Sequence, residues 1–117
     1  MDDPVILYGI SNCDTIRKAK TWLAGNSIEF TFHDFRKQGL DRQLLQTMIG
    51  ALGWQAMLNR RGTTWRSLPD EVKEHIDQLS ATDVMMENPA IIKRPILANK
   101  QQFHLGFSDQ QYQELFA

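Results

Sequence analysis

Residues 5–15 read VILYGISNCDT and pass from a short apolar run through Gly9 to Cys13, the single cysteine of the chain. A short apolar run that stops at a glycine favours a buried strand. Apolar side chains then recur at helical spacing, which predicts a helix over residues 13–25. Cys13 therefore lies at the junction of the first strand and the first helix.

A second strand is predicted directly after this helix. Residues 28–35 alternate, with Ile28, Phe30 and Phe32 on one side and polar residues on the other. A β-α-β unit normally pairs its strands in parallel through a right-handed crossover. The turn that carries Cys13 is then at the carboxyl edge of the sheet, where α/β proteins keep their sites.

The middle of the chain, about residues 40–88, is predicted as a helical insert. Leu44 to Leu52 form an apolar stripe between two glycines, and Trp54 begins a shorter helix. After Pro69, apolar residues and a histidine recur at i, i+3, i+4 and i+7 and predict one helix. These are Val72, His75, Ile76 and Leu79. Ser80 or Thr82 would cap a further helix that ends before Pro89.

The chain closes with a predicted hairpin and a helix. Residues 96–98 and 102–105 flank the turn-like pair Asn99-Lys100, and Ser108 with Gln111 forms a capping-box pattern. The order is thus β-α-β, helices, β-β-α. This order predicts an α/β protein with a single domain over residues 1–117.

Composition narrows the function classes. The chain has 117 residues, is 42% hydrophobic and carries a net charge of -1, so no global field would recruit nucleic acid or an anionic membrane. There is no long apolar run, and the start, Met1-Asp2-Asp3-Pro4, is acidic, so we expect a cytoplasmic protein. One cysteine excludes an internal disulfide, and the three histidines have no metal-ligand spacing.

Cys13 is the first candidate for chemistry. The amino end of a helix offers free backbone N–H groups and a positive partial charge. Such ends, with nearby cations, lower a cysteine pKa from about 8.5 to roughly 3.5–7.5. Asp14 opposes this effect, and Arg17 could offset Asp14. The alternative is that Cys13 packs as a small apolar residue.

Two arginine-bearing segments are the second candidates, residues 58–66 and Lys93-Arg94-Pro95. Guanidinium groups form planar forks that match oxyanions and carboxylates, so they could hold an anionic substrate and stabilise a thiolate. The alternative is a solvated basic surface. Arg94 precedes a proline that opens a predicted buried strand, and a cis Arg94-Pro95 bond is expected there.

With these features, the chain resembles the arsenate reductase (ArsC) and Spx family over nearly its whole length. Within that family it is most similar to the YffB-like bacterial proteins. The resemblance implies a thioredoxin/glutaredoxin-like fold with a helical insertion, one catalytic cysteine and reducing equivalents from glutathione. The segments that carry the likeness are residues 8–15, 33–35, 59–66 and 105–108.

The resemblance also implies roles for individual residues. Cys13 matches the family nucleophile, and Arg94 an arginine of the active site. Asn12 lies beside the nucleophile and Pro95 matches the proline that is cis in the fold, so both are expected to contact substrate. An insert arginine of the family falls on Arg60 or Arg61.

Two departures from the family pattern bear on function. Residues 102–107 lack the further arginine of glutathione-dependent arsenate reductases, which weakens the expectation of arsenate specificity. Many Spx regulators carry a Cys-x-x-Cys switch, whereas here the second position is Ile16.

We therefore expect a glutathione-dependent thiol reductase that works through a mixed disulfide on Cys13, with glutathione as co-substrate and no bound cofactor or metal. The alternatives are an arsenate reductase and an Spx-like regulator that binds RNA polymerase. Neither direct nucleic-acid binding nor membrane binding is expected.

Overall fold

The computed structural model describes residues 4–11 and 13–117. Its contacts divide the chain into two compact units, Met1–Gln38 with Arg94–Ala117, and Gly39–Lys93. We call the first the sheet unit and the second the insert unit. That the two make a single domain stays a prediction.

The sheet unit contains a mixed four-stranded sheet. Its order is β2-β1-β3-β4, in which β1 and β2 are parallel and the other neighbours are antiparallel. The strands are β1 (Ile6–Gly9), β2 (Thr31–Asp34), β3 (Ile96–Asn99) and β4 (Gln102–Leu105). With helices α1 (Asp14–Gly25) and α7 (Asp109–Leu115), this is the thioredoxin-like topology, so the predicted fold class is confirmed.

One apolar core holds this sheet to its two helices. At its centre are buried residues of β1, α1, β3 and α7, which are Leu7, Ala19, Leu23, Leu97 and Tyr112. Ile28, Phe30 and Phe32 pack against this centre, as the alternation predicted. Burying a side chain of Leu size stabilises a fold by about 1.5–3 kcal/mol, so this cluster fixes both helices on the sheet.

The second strand is shorter than predicted. Residues 28–35 alternate, yet only Thr31–Asp34 pair as β2. The Ile28 N–H donates to the Leu23 carbonyl at 3.0 Å and so closes the end of α1. An amide used in that way is not available to the sheet, and pairing therefore begins at Thr31, whose N–H donates to Val5 O.

The hairpin and the last helix form as predicted. Lys100 and Gln101 make the turn with φ values of 53° and 64°, so it lies one residue later than the Asn99-Lys100 pair. Ser108 Oγ accepts a hydrogen bond from the Gln111 N–H at 3.1 Å and caps α7. The Gln111 side chain donates to Leu105 O at 3.3 Å, so only the Ser108 half of the predicted capping box forms.

The insert unit is built from short helices. Contacts of α2, α3 and α6 bury its centre, which includes Leu45, Met48, Met57, Ala81 and Met85. The helices are α2 (Arg42–Leu52), α3 (Trp54–Met57), α4 (Thr63–Arg66), α5 (Asp70–Glu74) and α6 (Gln78–Glu87), followed by a 3-10 turn (Pro89–Ile91). In the part of the chain described, none of the helices has the length and apolar character needed to cross a bilayer.

The single helix predicted after Pro69 is wrong, because the chain breaks between α5 and α6. Asp77 Oδ1 accepts from the Ser80 N–H, and Ser80 Oγ accepts from the Asp77 N–H, each at 2.9 Å. This capping box starts α6 at Asp77, where the sequence favoured Ser80 or Thr82 as the cap. Leu79, counted in the apolar stripe, is 68% exposed as a result.

Candidate functional site

Cys13 sits where β1 has ended and α1 has not yet begun. It is the N-cap residue of α1, with extended backbone angles (φ -114°, ψ 130°), and its carbonyl accepts the Arg17 N–H at 3.0 Å. The thiol is partly exposed. It therefore stands at the amino end of the helix, as predicted, and is open to a reactant.

The surroundings lower the pKa of Cys13 below its ordinary value. Burial acts in the opposite direction and raises the pKa, but the backbone N–H groups of Ile16 and Thr15 and the Arg94 guanidinium outweigh it. Thr15 and Ile16 are the second and third helical residues, whose N–H groups have no partner in the helix itself. Their partial positive charge, with that of Arg94, favours the thiolate.

Arg94 reaches the thiol from a different part of the sheet unit. The Arg94-Pro95 bond is cis, as predicted, and leads directly into β3. Since β3 pairs antiparallel with β1, the start of β3 lies beside the end of β1. Arg94 then lowers the pKa of Cys13, both as a hydrogen-bond donor and by its positive charge. The Pro95 carbonyl accepts the Gly106 N–H at 2.8 Å.

Asp14, the acidic residue next to Cys13, forms an ion pair. Arg17 Nη2 lies 3.1 Å from Asp14 Oδ1, and both side chains are largely exposed. This is the offset of Asp14 by Arg17 that the sequence suggested. Exposed ion pairs are weak, so this pair adjusts the local charge more than it stabilises the fold.

Asp34 is a site residue that sequence reasoning missed. It ends β2 opposite Gly9 and is 3% exposed. Its Oδ2 accepts the Ser11 N–H at 2.9 Å, in the turn that leads to Cys13. A signal was present: by alternation, Asp34 falls on the same inward side as Phe30 and Phe32, and a carboxylate at such a position needs a partner.

In the insert unit, contacts among its own residues fix the conformation of the arginine-rich segment, residues 59–66. The Arg60 guanidinium carbon lies 5.2 Å from the centre of the Trp65 ring. The Arg61 N–H donates to Asn59 Oδ1 at 3.1 Å, and Arg66 Nη2 donates to the Arg61 carbonyl at 2.7 Å. The side chains of Arg60 and Arg61 are exposed. Their assignment to the substrate stays a prediction.

Comparison with known proteins places these features in a family. A family model described as the ArsC family matches residues 8–115, which include Cys13, the arginine-rich segment and Arg94. This chain belongs to the ArsC family.

The relatives of this ArsC-family protein extend over nearly its whole length. An uncharacterized protein of Haemophilus influenzae is 43% identical over 113 residues, which cover 97% of this chain and 99% of that protein. A solved structure of a protein named YffB superposes with a TM-score of 0.92 and 39% identity, covering 97% of this chain and 99% of that one. The global transcriptional regulator Spx 2 of Bacillus anthracis is 26% identical, over 92% of this chain and 82% of that protein.

In this ArsC-family protein the predicted site residues thus differ in outcome. Cys13 and Arg94 are brought together, with Pro95 in the cis form. Asn12 lies outside the described residues. The roles of all of them in catalysis or binding stay predictions. Within residues 4–11 and 13–117, no three His, Cys, Asp or Glu side chains are grouped so as to hold a metal ion.

Proposed function

We propose that this protein is a glutathione-dependent thiol reductase in which Cys13 is the only nucleophile. The observation that carries the proposal is the position of the Cys13 thiol, where two backbone N–H groups and the Arg94 guanidinium lower its pKa. Thiolates attack disulfides and thiols do not, so a lowered pKa increases the reactive fraction at neutral pH.

The reaction proceeds by two exchanges. The Cys13 thiolate attacks the glutathione sulfur of a mixed disulfide R–S–S–G, a Cys13–S–S–G bond forms, and R–S⁻ leaves and takes up a proton. The thiolate of a second glutathione then attacks the glutathione sulfur on Cys13, which releases oxidised glutathione and restores the Cys13 thiolate. The chain holds one cysteine, so the second thiol must come from outside it.

Arg94 has two functions in this scheme. Its positive charge stabilises the thiolate between turnovers. Its planar fork also suits a carboxylate, so it can hold the acceptor or a carboxylate of glutathione beside the sulfur.

Intact-mass analysis tests the nucleophile and its partner together. Wild-type and Cys13→Ser protein are incubated with oxidised glutathione over a pH series, and reduced glutathione is then added. We expect one adduct, on the wild type alone, that forms well below pH 8.5 and is released by reduced glutathione. An adduct that forms only near the pH of an ordinary thiol would refute the proposal.

A matched pair of arginine variants tests Arg94. Arg94→Ala should slow adduct formation at pH 6–7 by about tenfold, which corresponds to a rise of about one unit in the pKa of Cys13. Arg17→Ala is the control, because that guanidinium is exposed and paired with Asp14. Equal rates in the two variants would remove Arg94 from the site.

The name of the family raises arsenate as an acceptor. Residues 102–107 contain no arginine, so we expect no arsenate-dependent consumption of reduced glutathione in the same assay. Consumption that requires both arsenate and Cys13 would make the protein an arsenate reductase.

The likeness to Spx 2, a global transcriptional regulator, together with the family resemblance, favours a second candidate function, binding to RNA polymerase. In that case Cys13 would act at most as a redox sensor, without a partner cysteine at position 16. A pulldown with purified polymerase distinguishes the two functions. Binding that is insensitive to Cys13→Ser, together with no turnover of glutathione disulfides, would replace the reductase proposal.

A further inference from the structure

Asp34 is a buried carboxylate beside the turn that presents the nucleophile. It is 3% exposed and ends β2, in parallel register with Gly9 at the end of β1. A buried charge is tolerated only where hydrogen bonds replace its lost water. The partners of Asp34 therefore indicate what its carboxylate holds together.

The two carboxylate oxygens have different partners. Oδ1 accepts the N–H groups of Arg36 at 2.8 Å and Lys37 at 3.2 Å, both in the turn that follows β2. Oδ2 accepts the Ser11 N–H at 2.9 Å, and the Ser11 side chain helps to lower the pKa of this carboxylate. One oxygen thus belongs to the turn of Asp34, and the other reaches across 23 positions of sequence to the turn before Cys13.

The backbone of Asp34 is itself fixed. Its N–H donates to Gln38 Oε1 at 2.9 Å, and its carbonyl accepts the Gln38 N–H at 2.8 Å. The next N–H, that of Phe35, donates to Gly9 O at 2.8 Å. The carboxylate is therefore presented to Ser11 from a support that is joined to both β1 and β2.

Ser11 precedes the nucleophile by two residues. The N–H groups of Thr15 and Ile16 and the Arg94 guanidinium lower the pKa of Cys13, and this effect depends on how near they lie to the sulfur. A turn that shifted by about 1 Å would weaken them steeply. Holding Ser11 is thus a way to hold the sulfur.

We infer that Asp34 is a positioning residue: by binding Ser11, it keeps Cys13 Sγ against the N–H groups of Thr15 and Ile16 and the Arg94 guanidinium. This inference rests on the proposed role of Cys13 as a nucleophile. Asp34 touches neither the reacting sulfur nor a substrate in this scheme, and it acts through Ser11.

The direction in which the pKa of Cys13 changes when Asp34 is replaced shows whether Asp34 acts by position or by charge. A carboxylate that acts on Cys13 by its negative charge alone opposes the thiolate, so removing that charge would lower the pKa of Cys13. A carboxylate that acts by position does the reverse, because its loss moves the sulfur away from its stabilising groups. The positioning role therefore predicts that the pKa of Cys13 rises when the carboxylate is lost.

The test is the pH profile of Cys13 alkylation by iodoacetamide, with the melting temperature of each variant measured beside it. Asp34→Asn keeps an oxygen for Arg36 and Lys37 but can place its NH₂ group, a donor, against the Ser11 N–H. We expect alkylation at pH 6 to fall by about tenfold, with the midpoint of the profile about one unit higher. Ser11→Ala keeps the N–H that Asp34 binds, so its alkylation profile should stay close to that of the wild type.

The matched control is Asp41→Asn. Asp41 also accepts a backbone N–H, that of Leu44 at 3.0 Å, but it is exposed and caps α2 in the insert unit. Its alkylation profile should equal that of the wild type. An unchanged or lowered midpoint in folded Asp34→Asn overturns the inference. If that variant does not fold, fast hydrogen exchange of the Ser11 amide in the wild type does so, because an amide bound to a buried carboxylate exchanges slowly.

This test does not depend on glutathione. If the glutathione adduct of the wild type fails to form but Asp34→Asn raises the alkylation midpoint, the reductase proposal falls and the positioning role stands. If the adduct forms and is released while the midpoint does not rise, the positioning role alone falls.

Discussion

The turn before Cys13 leads to the reactive thiol, and the loop over residues 59–66 carries three arginines. The hydrogen bonds that fix these two regions differ in their range along the sequence. The turn is tied through Ser11 to Asp34, 23 positions away, on another strand. The loop is tied at its first residue, where the Asn59 N–H donates to Ile91 O at 2.8 Å, but the side-chain hydrogen bonds along the rest of it span seven positions or fewer. Long-range bonds fix where a group lies in the fold, whereas short-range bonds fix only the form of the segment. Substitutions should therefore cost more at the turn than in the loop.

Gly9→Ala should give the largest loss of stability. A Cβ at this position would overlap Cδ1 of Ile16, which is 2% exposed, and overpacking a core costs about 1–3 kcal/mol. We expect about 3 kcal/mol by urea denaturation. Adding Ile16→Val, which removes Cδ1, should recover part of that loss in a double-mutant cycle.

Gly50→Ala is the control for this comparison. Gly50 lies inside α2, where a Cβ would meet open space, so the change should stabilise the protein by about 0.5–1 kcal/mol. If Gly9→Ala were tolerated as well as Gly50→Ala, Ile16 would not constrain the end of β1 that leads into the turn.

Asp34→Asn should give the next largest effect, and one that depends on pH. Hydrogen bonds from Ser11, Arg36 and Lys37 outweigh the burial that would raise the pKa of Asp34, and they lower it from 3.8 to about 2. Because the pKa is lower in the folded state, this stabilisation is present above about pH 4 and is lost as the pH falls toward 2. At 1.36 kcal/mol per unit, it amounts to about 2 kcal/mol near neutral pH.

Urea denaturation from pH 7 to pH 2 measures this effect. The difference in free energy of unfolding between the wild type and Asp34→Asn should narrow as the pH falls below 4. A difference that stays constant over that range would show that the charge of Asp34 does not stabilise the fold.

Tyr112→Phe should stabilise the sheet unit by about 1 kcal/mol. Tyr112 is fully buried, and its hydroxyl has no hydrogen-bond partner among the residues described. Its ring contacts Trp22, Phe107 and Phe116, and these contacts survive the change. We expect a melting temperature about 3–5 °C higher. A lower value would indicate a bound water that satisfies the hydroxyl.

Arg66→Ala should have the smallest effect, below about 0.5 kcal/mol. Its guanidinium donates to the Arg61 carbonyl at 2.7 Å, but the side chain is exposed and the bond is local. Urea denaturation gives the free energy of unfolding directly. A loss as large as that of Asp34→Asn would break the contrast between the two regions.

The sequence predicted those parts of the molecule that depend on the periodic spacing of apolar residues or on short local motifs. The order of strands and helices, the Ser108 cap and the meeting of Cys13 with Arg94 follow from apolar spacing, turn chemistry and the resemblance to a family. Periodicity failed between α5 and α6, because the apolar spacing continues across the break while Asp77 and Ser80 form a new cap.

Asp34 escaped prediction for a different reason. Its function depends on bonds to Ser11, which no spacing along the chain reveals, and only its charge at an inward position marked it. The contribution of Arg60 or Arg61 was left open because a loop carries no periodicity that would say which of two neighbouring side chains faces a substrate.

The first turn of a helix is ordinarily where it opens most readily. In α1 that turn is held down by Ile16, which fills the space that a side chain at Gly9 would take. To open the turn, the protein must withdraw Ile16 from the core. Hydrogen exchange of the Arg17 amide, which donates to the Cys13 carbonyl, should therefore be as slow as in the helix interior. The N–H groups of Thr15 and Ile16, which stabilise the thiolate, then stay in place between successive reactions.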